Sequence, residues 1–434
     1  MKKLVALLLS LCMLLSIGSV ALADEPLTIT FWYSLSGTAG EYIKTVVDNY
    51  NASQDKIFVD AQYQGTYTDS LLKFKGTPAN ALPDVYQINA ETTAFLAQSG
   101  LIIPVQDYMD AENYDNSAMR PIVASYYSFN DKLYCMPVSC SIICVNYNAD
   151  IFEKAGIDPA SIKTVADMFA AGDKCVEMGL CTYGCTMEND GWSFEQCMSM
   201  QLAAIVDADN GRTGLPTRSV LKDSDAALKA LAFHQEFCSA EHKNLKLSSS
   251  SEWYNEFLGG NAAMMIGSTA CLMAADVAAN GEWDNEQLAF PKLSEEDAGS
   301  VTPGGNALWI SATGDEARQA AAWDFIKFCM KAENVGLLAS QTGYLPMTDD
   351  GAQLEVYQAV IAKHPTVADM NACLANANPD ARGAVIGVFD ALREIVVAEI
   401  NHLADDASYT PAQALDVIDS TLNEAIELYN LSNF

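Results

Sequence analysis

The chain has 434 residues, 24 Lys+Arg against 56 Asp+Glu, and a formal charge of -32. Half of it is apolar and only 18% is charged, which excludes a disordered acidic tail and leaves room for two or three domains with large cores. So acidic a surface works against binding nucleic acid or docking on anionic lipid, and neither partner is expected.

The chain opens like an export leader. Lys2 and Lys3 precede an apolar run from Leu4 to Leu15, and Ala21-Leu22-Ala23 supplies small residues for cleavage before Asp24. The run is too short for a membrane span of about 20 residues. The sequence therefore reads as an exported protein, extracellular or periplasmic, with surface association left open. Of its 12 cysteines, Cys12 leaves with the leader, and the odd remainder cannot all pair. Most of the others sit among apolar neighbours, as Cys144 and Cys329 do, and read as buried thiols. Cys181 and Cys185 flank a turn and are the pair to test for a disulfide. The four histidines are scattered, and no spacing suggests a metal.

Leu27 to Phe31 alternates as a strand. Tyr42, Ile43, Val46, Val47 and Tyr50 then share one face of a helix. Ile57–Tyr63 and Asp84–Ile88 are further strands, a succession that predicts parallel β-α-β units. Leu133 to Tyr147 is a long extended run around Pro137, and Ile151 to Ala155 is helical. Thr164 with Asp167 caps a helix running through Val176. Asp209-Asn210-Gly211 carries the composition of a hairpin turn. Thr410 and Pro411 open a terminal helix whose inward face holds Leu415, Ile418, Leu422, Ala425 and Ile426. The pattern supports an α/β chain in two lobes, with a site between them.

Short markers recur in order along the chain: Phe31-Trp32-Tyr33-Ser34, Gly65-Thr66-Tyr67, Val145-Asn146-Tyr147-Asn148, Gly191-Trp192, Ala263-Met264, Gly304-Gly305 and Thr342-Gly343-Tyr344-Leu345-Pro346. Through them, from about Ile29 to Tyr429, the chain resembles the extracellular solute-binding proteins of bacterial ABC importers. Within them it resembles the maltose-binding-like class and is most similar to the sn-glycerol-3-phosphate-binding branch. The resemblance implies a two-lobed type II periplasmic-binding fold that closes on a ligand and hands it to a membrane permease. It also implies a monomer without cofactor or catalytic activity. The implied division is a leader over 1–23, one lobe over 24–137 with 299–345, and the other over 138–298 with 346–434. By position, Tyr67, Ser141, Ser268, Gly305, Tyr344 and Arg393 match residues that hold the phosphoglycerol, and Trp192 matches one of two enclosing tryptophans. Asn189 stands near the place of the second. Where the family has a ligand-binding Glu this chain has Ala90, with Glu91 one residue later.

The same residues carry meaning on chemistry alone. Arg393 suits a bidentate clamp on phosphate or carboxylate, its alternative being a surface pair with Glu394 or Glu399. Hydroxyls and the Gly305 N–H bind phosphate without further cations. Trp192 amid acids suits the C–H face of a glycerol or sugar, whereas Trp32 fits a core equally well. A phosphorylated polyol is the first ligand reading and a neutral mono- or oligosaccharide the second. A secreted glycoside hydrolase is the alternative of another class, with no catalytic motif to nominate its carboxylates.

Overall fold

The computed structural model describes residues 25–130, 132–247 and 251–433. The leader reading of residues 1–23 lies outside them. Strand β1 (Leu27–Tyr33) pairs in parallel with β2 (Ile57–Tyr63) and with β3 (Val85–Asn89). The helix Gly37–Ser53 between β1 and β2 buries Tyr42, Ile43, Val46, Val47 and Tyr50, the stripe its spacing predicts. To this point the parallel expectation holds.

It fails further along. β4 (Ile102–Ile103) sits at the far edge, and a small hairpin, β5 (Ser128–Phe129) with β6 (Lys132–Leu133), stands apart from both large sheets. The extended run around Pro137 divides into β7 (Met136–Ser141) and β8 (Ile143–Asn148). A second sheet runs β11-β8-β10-β9, from β9 (Tyr183–Met187), β10 (Ala262–Ser268) and β11 (Asn285–Ala289). β12 (Gly304–Ser311) then returns to the first sheet, antiparallel to β3, β4 and β7. The chain leaves the first sheet along β7 and re-enters along β12 by the same border. Out and back strands that touch must run antiparallel, so the sheet is mixed. The second is mixed too, with β8 antiparallel to β10 and β11 while β9 runs parallel to β10.

Each sheet has its own core. Phe31, Tyr50, Tyr86, Trp309 and Trp323 anchor the first, and Met347, Met370 and Leu374 join it from late in the chain. Phe152, Phe169, Phe194, Phe237 and Ile400 anchor the second. Burying a side chain of this size contributes about 1.5–3 kcal/mol. Met264 and Met265 are fully buried, as filling for the β10 core. Between the cores, Ile142 links β7 to β8, and its C=O accepts from the Thr269 N–H at 3.0 Å.

Local signals read from the sequence recur in the structure. Thr164 and Asp167 form a reciprocal capping box at the start of the helix Val165–Glu177. Thr410 and Gln413 do the same for the helix Pro411–Asn433, which buries Leu415, Ile418, Leu422 and Ile426. The Asp209-Asn210-Gly211 turn is a different object from a hairpin. Ala208, Asp209 and Asn210 make one left-handed helical turn, with φ of 54°, 54° and 57°. A left-handed residue costs roughly 1–2 kcal/mol. Asn210 offsets this: its Oδ1 accepts from the Ile205 and Val206 N–H groups, and its Nδ2 donates to the Arg382 carbonyl. All eleven described cysteines are free thiols, Cys181 and Cys185 included. No described helix is long and apolar enough to cross a membrane.

Candidate functional site

The strands of both sheets end at one cleft of about 580 Å³. Ser141 is the last residue of β7 and Ser268 the last of β10, while Gly304 and Gly305 open the antiparallel β12 at the same border. Asn89 closes β3, and Glu91 follows in the short turn Ala90–Thr92. Tyr67 and Trp192 are the first residues of the helices Tyr67–Gly76 and Trp192–Met200. Tyr344 follows the helix Ala332–Thr342, and Arg393 points in from the helix Phe389–Asp405. A ligand crevice at strand ends is what sheets of this kind present. The structure thus brings all eight residues drawn from the sequence, Tyr67, Glu91, Ser141, Trp192, Ser268, Gly305, Tyr344 and Arg393, to one cavity wall.

One part of that wall is neutral. The Tyr67 and Tyr344 phenols neighbour each other, and burial raises both, so they stay protonated. Gly305 has φ +122°, and a Cβ there would lie 2.2 Å from the Ser139 carbonyl oxygen. Only glycine keeps this strand start in place. Ser268 Oγ accepts from the Ala270 N–H at 3.1 Å.

The other part is charged. Arg393 is the one cation lining the cleft among the described residues, and its partners are neither Glu394 nor Glu399. Its Nε donates to Glu195 Oε1 at 2.9 Å, and its Nη2 lies 2.6 Å from Glu91 Oε1. That second contact is an ion pair without hydrogen-bond geometry, and Arg393 Nη2 and the other oxygen of the acid, Glu91 Oε2, are buried with no hydrogen-bond partner. Glu188 and Asp190 add two more carboxylates, so four acids surround one guanidinium. Burial works against the guanidinium charge, but Glu195, Glu91 and Asp190 more than offset it and hold its pKa above the ordinary value. Burial lifts the Glu195 carboxyl to about 7 despite Arg393, and lifts Glu188 to about 7 with help from Asp190.

Sequence reading missed several wall residues. It also missed Glu195, which lies three positions after Trp192 and 198 positions from Arg393, buried behind the arginine rather than lining the cleft. Glu188, Asp190, Trp253 and Tyr254 carry no local motif. Trp32 and Tyr33 are buried in the first core and do not line the cleft. Asn189 is buried too, donating to the Val397 carbonyl and Asn401 Oδ1. A separate hollow of about 710 Å³, whose lining includes the acids Asp207, Asp223 and Asp297, contains none of the eight.

Residues 45–368 match the family of bacterial extracellular solute-binding proteins. The sn-glycerol-3-phosphate-binding periplasmic protein UgpB of Yersinia pestis is 26% identical over 422 residues, covering 94% of each chain. The Escherichia coli O1:K1 protein of the same name is 26% identical over 435 residues, covering 96% of this chain and 97% of its own. Among solved structures, UgpB of Mycobacterium tuberculosis in complex with glycerophosphocholine superposes with a TM-score of 0.76 at 19% identity, over 94% of this chain and 99% of that one. A Listeria monocytogenes ABC substrate-binding protein in complex with cycloalternan gives 0.79 at 18% identity, over 93% and 99%. The fold these structures share is the two-lobed type II periplasmic-binding fold.

Proposed function

The chain belongs to the bacterial extracellular solute-binding protein family, and from that premise we propose that it captures a small polyol phosphate, of the glycerophosphodiester kind, for an ABC importer. The observation that carries this reading is the composition of one cleft: five neutral donors beside an arginine that four carboxylates already surround. The phosphate lies against Ser141, Ser268, Tyr67, Tyr344 and the Gly305 N–H, with the unused N–H groups of Arg393 completing its shell. The surplus negative charge disfavours a compact dianion, since like charges about 4 Å apart repel by about 4 kcal/mol near a protein surface. A diester carrying one negative charge and an ammonium group suits both parts of the wall.

Ligand contacts to both sheets favour the closed arrangement of the lobes, 24–137 with 299–345 against 138–298 with 346–434, save that Met347, Met370 and Leu374 pack with the first. The protein works as a monomer, exported by the leader ending at Ala23, and its closed form docks on a membrane permease. The guest leaves unchanged: the relatives named above are binding proteins, and a glycoside hydrolase finds no support in them.

A neutral oligosaccharide is the second reading. It is favoured by the pairing of carboxylates with the Trp192 and Trp253 indoles, a combination that accepts hydroxyl hydrogens and stacks on C–H faces. Calorimetry with glycerophosphocholine, glycerol-3-phosphate and maltose decides between them. The diester should bind most tightly; binding of maltose with no response to either phosphate compound would reject the first reading.

A further inference from the structure

Only one tryptophan of the cleft is visible to sequence matching, and Asn189, near the place of the second, is occupied elsewhere. The cleft has a second tryptophan all the same. Trp253 lies in the first turn of the helix Glu252–Leu258, half-buried, and lines the cleft with Tyr254, their ring centroids 5.3 Å apart. That helix is seated by Phe257, which is fully buried with Met265 of β10. Position and support are therefore supplied by packed elements rather than by an exposed loop.

The two indoles both lie against strand glycines. A Cβ on Gly304 would meet the Trp192 ring at 3.1 Å, and a Cβ on Gly267 would meet the Trp253 ring at 3.6 Å. The same Cβ on Gly304 would meet Ser141 Oγ at 3.3 Å, so the Trp192 ring lies beside a phosphate donor of the reading above, whereas the Trp253 ring lies on the Met265 and Gly267 face of β10, away from the Ser268 side chain. β9 and β10 run parallel with Met187 opposite Ile266. Glu188 follows Met187 directly and lines the same cleft as Trp253. An indole face attracts a cation, and a carboxylate at its edge strengthens the attraction.

We propose that Trp253 is the second aromatic wall of the ligand site and that, with Glu188, it selects an ammonium group carried on the solute. This deepens the glycerophosphodiester reading and rests on it. Glycerol-3-phosphate, which lacks that group, reaches the neutral donors but leaves the Trp253 wall unfilled.

The test is calorimetry of the full chain and its Trp253→Ala, Trp253→Phe and Glu188→Gln variants with glycerophosphocholine, glycerol-3-phosphate and maltose. Trp253→Ala should weaken glycerophosphocholine by about tenfold or more and glycerol-3-phosphate by less than about threefold. Trp253→Phe should retain most of the affinity, and Glu188→Gln should fall between. Unchanged glycerophosphocholine binding by a folded Trp253→Ala protein overturns the proposal, as does equal loss for both phosphate compounds. If Trp253→Ala does not fold, Glu188→Gln decides: it must narrow the preference for the diester, and an unaltered preference overturns the assignment. If wild-type protein binds maltose alone, the parent reading fails and the ammonium selection with it. The aromatic wall by itself is then kept by a tenfold loss of maltose affinity in Trp253→Ala and refuted by none.

Discussion

Two parts of the same cleft wall solve opposite problems. The Tyr67, Tyr344, Ser141, Ser268 and Gly305 part presents neutral donors on strand and helix ends, and burial keeps its phenols protonated. The part around Arg393 gathers four carboxylates on one guanidinium and places two indoles beside them. Counting arginines would call this cleft an anion site; counting the acids around the arginine calls it a site for a solute with charge of both signs. The difference teaches that a basic residue counts as an anion receptor only after its existing partners have been subtracted.

Removing Arg393 breaks that comparison most severely. Arg393→Met leaves Glu195, only 3% exposed, without its partner. The variant should lose about 3 kcal/mol of stability at pH 8, read by denaturant unfolding. The Glu195 carboxyl is already raised to about 7 and rises further without the guanidinium. Below that range it binds a proton and the buried charge disappears, so the loss should shrink at pH 6. A loss of equal size at both pH values would contradict the charged pair. Gly305→Ala attacks the neutral part instead. With φ at +122° and the Ser139 carbonyl in the path of a Cβ, it should cost about 2–3 kcal/mol and displace a ligand donor, so stability and binding fall together.

A pH titration of binding sharpens the contrast without mutation. Glu188 and Glu195 have folded pKa values raised to about 7, so both take up protons as pH falls from 8 to 6. Affinity for an ammonium-bearing diester should drop several-fold over that window, since its carboxylate partner is neutralised. Affinity for a ligand carrying only negative charge should rise over the same window. The smallest effect belongs to Thr164→Ala, which removes a capping box on a helix that does not line the cleft. It should cost about 1 kcal/mol and leave ligand affinity unchanged.

What the sequence disclosed follows how local each feature is. The capping boxes at Thr164 and Thr410 and the buried stripe from Tyr42 to Tyr50 depend on neighbours a few residues away, and each is readable. The mixed sheets were not, because the direction of β12 is set by where the chain returns from. The left-handed turn at Ala208 was hidden because alanine carries no signal for positive φ. The eight cleft residues were reached through family likeness, since nothing within a few positions of Arg393 or Ser141 marks either as part of a cavity. Glu195 and Trp253 were missed by both routes: they match no short marker, and only tertiary packing carries Trp253 to the wall and Glu195 to its place behind Arg393.

The central claim is that a small solute bridges the two sheets and draws the lobes together. Small-angle X-ray scattering of the chain with and without saturating glycerophosphocholine tests it directly. The account predicts a smaller radius of gyration in the presence of the diester and no such change for Arg393→Met. An identical scattering profile with ligand demonstrably bound would contradict it.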